Sequence, residues 1–385
     1  MLELLFLLLP VAAAYGWFMG RNSVRQEQRR EQEEFSKSYV VGLNLLLSEQ
    51  SDKAVDIFID MLDVDSETIE THWALGNLFR RRGEVERAIR IHRNLIARPS
   101  LTEQQRLQAM LELGKDYLAA GLYDRAEKML NELSAHKQYR EASEQLLLQI
   151  YEATNDWDKA IRVALKVRRY DAAVSRKVAH YYCELAGIQD DVASVLRFYE
   201  KALKHDKSSA RARLALGHWW LEQNNYSHAL EYLLPIVSCA PDYISEALPF
   251  IERAYEGLGD RDSLMTCLHD IVVEQPCATA VVMLAEHVAE ANNKEDAEQF
   301  ILTALQRNPT MKGFHKLIEL HTEKATPGTE RASLELLGEI VAQQLKMRTK
   351  YQCGQCGFSA QSLYWHCPSC KSWGYMKPTR GLDGE

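Results

Sequence analysis

The sequence predicts an all-α protein: a superhelical solenoid of repeated helix pairs, preceded by a transmembrane helix and followed by a small metal-binding knuckle. Three observations support this prediction. An apolar segment opens the chain, a helical pattern recurs through its middle, and four cysteines lie close together near its end. We therefore divide the chain into an anchor (1–20), a juxtamembrane linker (21–35), an array of eight to nine helix pairs (36–348) and a four-cysteine domain (349–385).

The composition is that of a large folded protein with no general affinity for nucleic acid. Of 385 residues, 46% are hydrophobic and 26% are charged, which is enough apolar material for a sizeable core. The net charge of −8 does not attract phosphate backbones, so nucleic-acid binding would need a local basic patch. The short basic runs at 80–82 and 166–169 are more typical of solvated helix faces.

The first twenty residues have the character of a membrane anchor. The segment from Leu4 to Gly20 is apolar apart from Tyr15 and spans seventeen residues, at the short end of the roughly 17–25 that cross a bilayer as a helix. Four arginines follow this segment: Arg21, Arg25, Arg29 and Arg30. A cleaved secretory signal, suggested by "VAAA", would carry its positive charge before the apolar core instead. We expect an uncleaved single-pass anchor that leaves the bulk of the chain in the cytoplasm.

The middle of the chain repeats a two-helix pattern. In "HWALGNLFRRRGEVERAIRIHRNLI" the signature residues are Gly76, Phe79, the turn residue Gly83 and the small residue Ala88. Residues equivalent to Ala88 recur at intervals of 33 to 38 residues: Ala54, Ala88, Ala126, Ala160, Val195, Ala229, Leu264 and Ala297. A period near 34 with two helices per unit resembles the tetratricopeptide repeat.

The end of the array is less regular. "GFHKLIELH" and "RASLELLGEIVAQQLKMR" predict one more helix pair, with "TEKATPGTE" as a long turn between them. An atypical terminal pair is expected because it caps the stack. Stacked helix pairs offer a groove for peptides or proteins, and the chain has no nucleotide-binding, metalloprotease or serine-hydrolase motif. We therefore predict a binding protein and not an enzyme, with no catalytic residues.

The stretch "YQCGQCGFSAQSLYWHCPSC" contains two matched cysteine pairs, Cys353 with Cys356 and Cys367 with Cys370. Two intervening residues let both thiolates of a tight turn face one ion, and two such turns complete a tetrahedral site. Gly357 follows the first pair, where a positive φ is often required. The pattern predicts one ion held by four sulfurs and does not distinguish zinc from iron.

Disulfide bonding and redox chemistry fit these cysteines less well than metal binding. Disulfides are rare in a reducing cytoplasm, so paired cysteines indicate metal or redox chemistry, and a redox dithiol would need only one pair. The remaining cysteines are scattered through helical patterns and are expected to be small buried residues: Cys183, Cys239, Cys267 and Cys277. The domain also has more aromatic residues than a small knuckle can bury, so we expect some of them to pack on the last helix pair: Phe358, Tyr364, Trp365, Trp373 and Tyr375.

Anchor, repeat array and terminal "YQCGQCGFSA…HCPSC" together resemble the lipopolysaccharide assembly protein B family of Gram-negative bacteria, over the whole chain. The resemblance implies an inner-membrane adaptor facing the cytoplasm, with a rubredoxin-type knuckle. It implies that the chain promotes proteolysis of the deacetylase that commits precursors to lipid A, by a membrane-bound AAA+ metalloprotease. By motif, it assigns the metal ligands to Cys353, Cys356, Cys367 and Cys370.

Alternatives remain at this point. A membrane-tethered assembly scaffold or chaperone without a proteolytic role would share every one of these features. A nucleic-acid-binding zinc ribbon would need more basic residues around the knuckle than the four present: Lys350, Lys371, Lys377 and Arg380. The sequence leaves open whether the chain forms a homo-oligomer, and it contains no sharp motif for a partner-binding groove.

Overall fold

The computed structural model describes residues 69–99, 101–167, 173–291 and 293–385, together with five single residues: Trp17, Met19, Val40, Val41 and Asn44. The chain divides into two units, Met1–Ile150 and Tyr151–Glu385. The described part of each unit is built mainly of antiparallel helix pairs, as the sequence predicts.

In the first unit the described helices form successive pairs. They are α1 (Ile69–Arg81), α2 (Val85–Ile96), α3 (Glu103–Ala119), α4 (Tyr123–Ser134) and the start of α5 (Arg140–Ala153). Helix α3 begins with a capping box, in which Thr102 and Gln105 satisfy each other's backbone N–H groups.

The second unit continues the pairing and ends in a small sheet. Its helices are α6 (Trp157–Val167), α7 (Val174–Gly187), α8 (Val192–His205), α9 (Ala210–Glu222), α10 (Tyr226–Leu233), α11 (Pro235–Cys239), α12 (Ile244–Leu258), α13 (Arg261–Glu274), α14 (Ala278–Ala291), α15 (Lys294–Arg307), α16 (Met311–Lys324) and α17 (Thr329–Met347). A 3₁₀ turn at Pro241–Tyr243 leads into α12. Three short strands follow α17: β1 (Tyr351–Cys353), β2 (Ser359–Ala360) and β3 (Met376–Pro378). They form an antiparallel sheet in the order β2-β1-β3.

The repeat signature explains how the helices of a pair pack. The alanines that mark the second helix are completely buried at positions 88, 126, 160, 229 and 297. A glycine in the first helix faces the residue sixteen positions later in the second. A Cβ on Gly76 would lie 2.5 Å from His92, and one on Gly217 would lie 2.5 Å from Leu233. Such distances are too short for any side chain, so glycine sets how closely the two helices approach.

The turns within the pairs also follow the prediction. Gly83 and Gly121 have φ angles of 83° and 71°, and Asn224 has 55°. These left-handed residues end the first helix of their pairs, where glycine and asparagine are favoured. The last pair is present as α16 and α17, but its turn covers only 325–328, because Thr322, Glu323 and Lys324 extend α16.

The predicted anchor (1–20), linker (21–35) and first helix pair lie outside the described residues, apart from the five single residues named above. None of the helices that the structure does describe is both long enough and apolar enough to cross a bilayer. The anchor and the domain boundaries therefore stay predictions.

The cysteines scattered through the array behave largely as small packing residues. Cys183 is fully buried, whereas Cys239, Cys267 and Cys277 are partly exposed. Burial raises the pKa of Cys183 to about 12 and that of Cys277 to about 11. Both thiols therefore stay protonated at neutral pH and are poor nucleophiles.

Candidate metal centre and the surface that holds it

The structure brings the four predicted cysteines of the terminal domain together. Their Sγ atoms all lie within 4.8 Å of one another. The Sγ atoms of Cys353 and Cys370 are 3.7 Å apart, and so are those of Cys356 and Cys367. Cys353 and Cys367 are buried, whereas Cys356 is exposed at the surface. Each turn thus contributes one inner and one outer thiol.

The two cysteine turns have the same backbone structure. The N–H of Gly357 donates to the carbonyl of Cys353 at 2.9 Å, and the N–H of Lys371 donates to that of Cys367 at 3.0 Å. Gly357 has a φ of 78°, as predicted, and Lys371 has a φ of 59° in the equivalent position. The sequence did not reveal the left-handed lysine, because only a glycine or asparagine signals such a conformation.

This arrangement fits a tetrahedral sulfur site. Zinc bound at about 2.3 Å from each sulfur would separate neighbouring sulfurs by about 3.8 Å, close to the spacing of both cross-turn pairs. The local environment acts on the thiols in opposite ways. Burial raises the pKa of Cys353 to about 11, whereas hydrogen bonds from Ser372 lower the pKa of Cys370 to about 6. A metal ion requires all four as thiolates, and the donor set suits zinc and iron equally.

The knuckle packs against the array through two tryptophans, and not where the sequence suggested. Trp373 is buried; its ring lies 5.4 Å from that of His180, 5.7 Å from Tyr181 and 5.8 Å from Trp157. Trp365 lies 5.2 Å from Tyr243. The partners belong to α6, α7 and the 3₁₀ turn before α12, so the prediction of packing on the last helix pair is wrong for these two residues. Phe358 packs inside the knuckle, and Tyr364 and Tyr375 are exposed.

The backbone of the knuckle is also held directly. The phenol of Tyr243 donates to the carbonyl of Met376 at 2.9 Å and approaches that of Gly374 at 3.3 Å. Gly374 has a φ of 69°, and a Cβ there would lie 2.9 Å from Nε2 of His180. Glycine is required at this position for both its conformation and its close approach to α7.

Polar contacts hold the rim of the knuckle and the segment after it. The Tyr351 hydroxyl donates to Glu246 at 2.8 Å, and Asp242 accepts from Arg380 at 2.7 Å. The carboxylate of Glu385 accepts from the backbone N–H of Thr279 at 2.9 Å, at the start of α14, and pairs with Lys312. The tail thus reaches the helix pairs that follow those contacted by the tryptophans.

A series of ion pairs crosses the same helices, each from one first helix of a pair to the next. The pairs are Glu152–Lys177 at 3.1 Å, Glu184–Arg211 at 2.7 Å, Glu222–Arg253 at 2.9 Å, Glu252–His287 at 2.8 Å and Glu286–Lys316 at 2.6 Å. On α7, Lys177 and Glu184 flank Tyr181, so this face also carries the knuckle. Most pairs are partly exposed, so each contributes little stability. The partners of these ion pairs lie 25 to 35 residues apart, close to the length of one repeat. The ion pairs were not predicted from the sequence.

Family models match segments of both the knuckle and the array. The family described as "Rubredoxin metal binding domain" matches residues 351–378, and the family described as "Tetratricopeptide repeat" matches residues 72–107. Among solved structures, a tetratricopeptide repeat protein from Parabacteroides merdae aligns with a TM-score of 0.34 and 14% identity, covering 66% of this chain and 99% of its own. MamA aligns with a TM-score of 0.30 and 16% identity, covering 52% and 99%.

Curated relatives match the chain from end to end. "Lipopolysaccharide assembly protein B" of Escherichia coli strain K12 is 46% identical over 388 residues, and its namesake in Haemophilus influenzae is 36% identical over 398 residues. Each alignment covers 100% of both chains. With a repeat array followed by a four-cysteine knuckle, the chain belongs to the lipopolysaccharide assembly protein B family.

Proposed function

We propose that this chain is a non-enzymatic adaptor that regulates lipopolysaccharide synthesis by binding other proteins. The observation that carries the proposal is the 46% identity to an Escherichia coli protein named for lipopolysaccharide assembly, over the full length of both chains. The fold supports the proposal, because proteins built of stacked helix pairs usually function by binding peptides or other proteins.

The partners follow from the family resemblance. We propose that the chain presents the lipid A-committing deacetylase to a membrane-bound AAA+ metalloprotease and so promotes its degradation. A second candidate is an assembly scaffold for lipopolysaccharide enzymes without a proteolytic role, which the word "assembly" in the relatives' names favours. The two differ in whether the lifetime of the deacetylase depends on this chain.

The location proposed is the inner membrane, with a single span at 1–20 and the bulk of the chain in the cytoplasm. The arginines that follow the apolar segment support this orientation. Tethering would also raise the effective concentration of the adaptor near membrane-bound partners. Alkaline phosphatase fused after residue 385 should be inactive, and an active fusion would reverse the orientation.

The proposed role of the metal centre is to keep the knuckle folded on the array. Cys353, Cys356, Cys367 and Cys370 would hold one zinc or iron ion, which would cross-link two turns that have little core of their own. Trp365 then lies against the array beside Tyr243. The knuckle therefore occupies the face formed by α6, α7 and the 3₁₀ turn before α12, and a protein that binds this face would contact both the array and the knuckle.

A pull-down from native membranes tests the adaptor role. The intact chain should retain the protease and the deacetylase. Cys353→Ser should lose at least one of them, because an unfolded knuckle exposes the surface around Trp373. Cys239→Ser is the matched control, since Cys239 is a partly exposed cysteine outside the knuckle and should leave binding unchanged. Equal recovery with all three chains, or recovery of neither protein by the intact chain, would contradict the proposal.

A further inference from the structure

Helix α17 ends the array with no buried residue along its whole length. It contacts α16 through one stripe, whose members are all half-buried: Leu334, Gly338, Val341, Ala342 and Leu345. A Cβ on Gly338 would lie 3.5 Å from Ile318 of α16, which places this stripe against the preceding helix. On the opposite side of α17, the residues of the helix are exposed.

Helical periodicity assigns seven residues to that opposite side, which we call the outer face of α17. They are Thr329, Ala332, Ser333, Leu336, Ile340, Gln343 and Met347, and all are exposed. Its large apolar side chains keep 58% (Leu336), 47% (Ile340) and 76% (Met347) of their surface accessible, and Leu337, at one edge of the face, keeps 50%.

This face is unusual for the end of a helix array. A terminal helix is expected to cap the stack with polar residues. About a quarter of the chain is charged, 26%, yet none of the seven outer-face residues is. A contiguous exposed apolar stripe on a folded protein marks an interaction site.

Two charged residues beside the outer face indicate that a second copy of α17 covers it. Glu339 and Lys346 lie along one edge of the stripe, and neither forms an ion pair within the described part of the chain. A second α17 can pack antiparallel on this face, with Leu336 opposite Met347 and Ile340 opposite Gln343. In that register, Glu339 of each copy lies beside Lys346 of the other. A parallel arrangement would set each residue against its own copy and would form neither ion pair.

We propose that the outer face of α17 is an isologous interface between two copies of this chain, with the two helices antiparallel. The inference is independent of the adaptor role proposed above. The helix is about 28 Å long, and one such helix pair is small beside the roughly 1,600 Å² of a standard interface. The dimer should therefore be reversible and depend on concentration.

Cross-linking between two variants of the full chain in detergent tests the arrangement. One chain carries Leu336→Cys and the other carries Met347→Cys. Oxidising the mixture should give a cross-linked dimer well above the background of the unsubstituted chain. Each variant alone should give little, because identical positions would lie about 16 Å apart along the antiparallel pair. Efficient cross-linking of each variant alone would overturn the antiparallel arrangement.

A charge exchange tests the specificity of the interface. Lys346→Glu should raise the dimer dissociation constant roughly five- to tenfold, and adding Glu339→Lys should restore it. Ile340→Glu should abolish the dimer while helicity is unchanged, and Val273→Glu, at a valine of α13 that is 66% exposed, should not affect it. Sedimentation equilibrium measures each constant. A chain that is monomeric at every concentration, or a double variant that stays as weak as the single one, would overturn the proposal.

Discussion

Tyr243 donates its phenol hydrogen to the main-chain carbonyl of Met376 at 2.9 Å, across 133 residues of sequence. The hydroxyl also approaches the Gly374 carbonyl, and burial raises the pKa of Tyr243, so the group stays a hydrogen-bond donor. This one side chain therefore links the start of α12 to strand β3 of the knuckle. It identifies the second unit as a single folded body in which array and knuckle stabilise each other.

Removing that hydroxyl should loosen the knuckle selectively. Tyr243→Phe leaves the buried Met376 carbonyl and the partly buried Gly374 carbonyl without this donor and should cost about 1–2 kcal/mol. Hydrogen exchange should accelerate at residues 373–378 and much less in the first unit. Tyr226→Phe is the control, because the Tyr226 hydroxyl bonds only at the surface, to Asn224, and should change stability by less than about 0.5 kcal/mol. Equal effects of the two substitutions would contradict the role of Tyr243.

Gly374 should be far less tolerant of a side chain than another left-handed glycine. Both Gly374 and Gly381 have positive φ angles, 69° and 91°, so alanine strains both. Only at Gly374 would the added Cβ meet a neighbour, His180, whereas Gly381 faces open space. Gly374→Ala should lower stability by about 1–3 kcal/mol more than Gly381→Ala. Thermal unfolding of both variants measures the difference, and equal losses would show that the knuckle does not lie this close to α7.

His180 should make the second unit sensitive to acid. Burial lowers the pKa of His180 from 6.5 to about 3, with smaller contributions from Arg211 and His366. Because the folded pKa lies below the unfolded one, the unfolded chain takes up the proton first as the pH falls. The stabilising contribution is complete above pH 6.5 and is lost progressively towards pH 3, by on the order of 5 kcal/mol.

Denaturant unfolding between pH 7 and pH 4 measures this dependence. His180→Asn removes the titrating group, so stability should fall less steeply with acid in the variant than in the parent chain. Any loss of metal at low pH affects both chains, and the difference between them isolates His180. Parallel curves for the two chains would show that His180 is not buried against the knuckle.

One metal ion should be present for each chain. Elemental analysis of the purified protein should find zinc or iron near one equivalent, because the four thiols form a tetrahedral set. Replacing Cys353 and Cys367, the two buried members, with serine should remove the metal and expose the knuckle to proteases. Replacing Cys239 with serine should do neither. Full metal content in the double variant would exclude the assigned ligands.

The sequence predicted the repeated helix pairs and the paired cysteines, because both leave local patterns along the chain. Glycines and alanines near a 34-residue period marked how helices pack within each pair, and two CxxC motifs marked the thiols that meet. The docking site of the knuckle was predicted wrongly. It depends on Trp157, His180 and Tyr243, which come to one surface only when successive helix pairs stack, and no spacing along the chain records that. Lys371 was missed for a related reason: its left-handed conformation follows from the matching turn at Gly357.

The lifetime of the lipid A-committing deacetylase tests the central proposal most directly. In cells lacking this chain, protein synthesis is blocked and the deacetylase is followed by immunoblot, with the intact chain or a variant supplied from a plasmid. The account predicts that the intact chain and Cys239→Ser shorten the half-life severalfold, and that Cys353→Ser with Cys367→Ser does not. A half-life that is the same with and without the intact chain would contradict the proteolytic adaptor and favour the assembly scaffold.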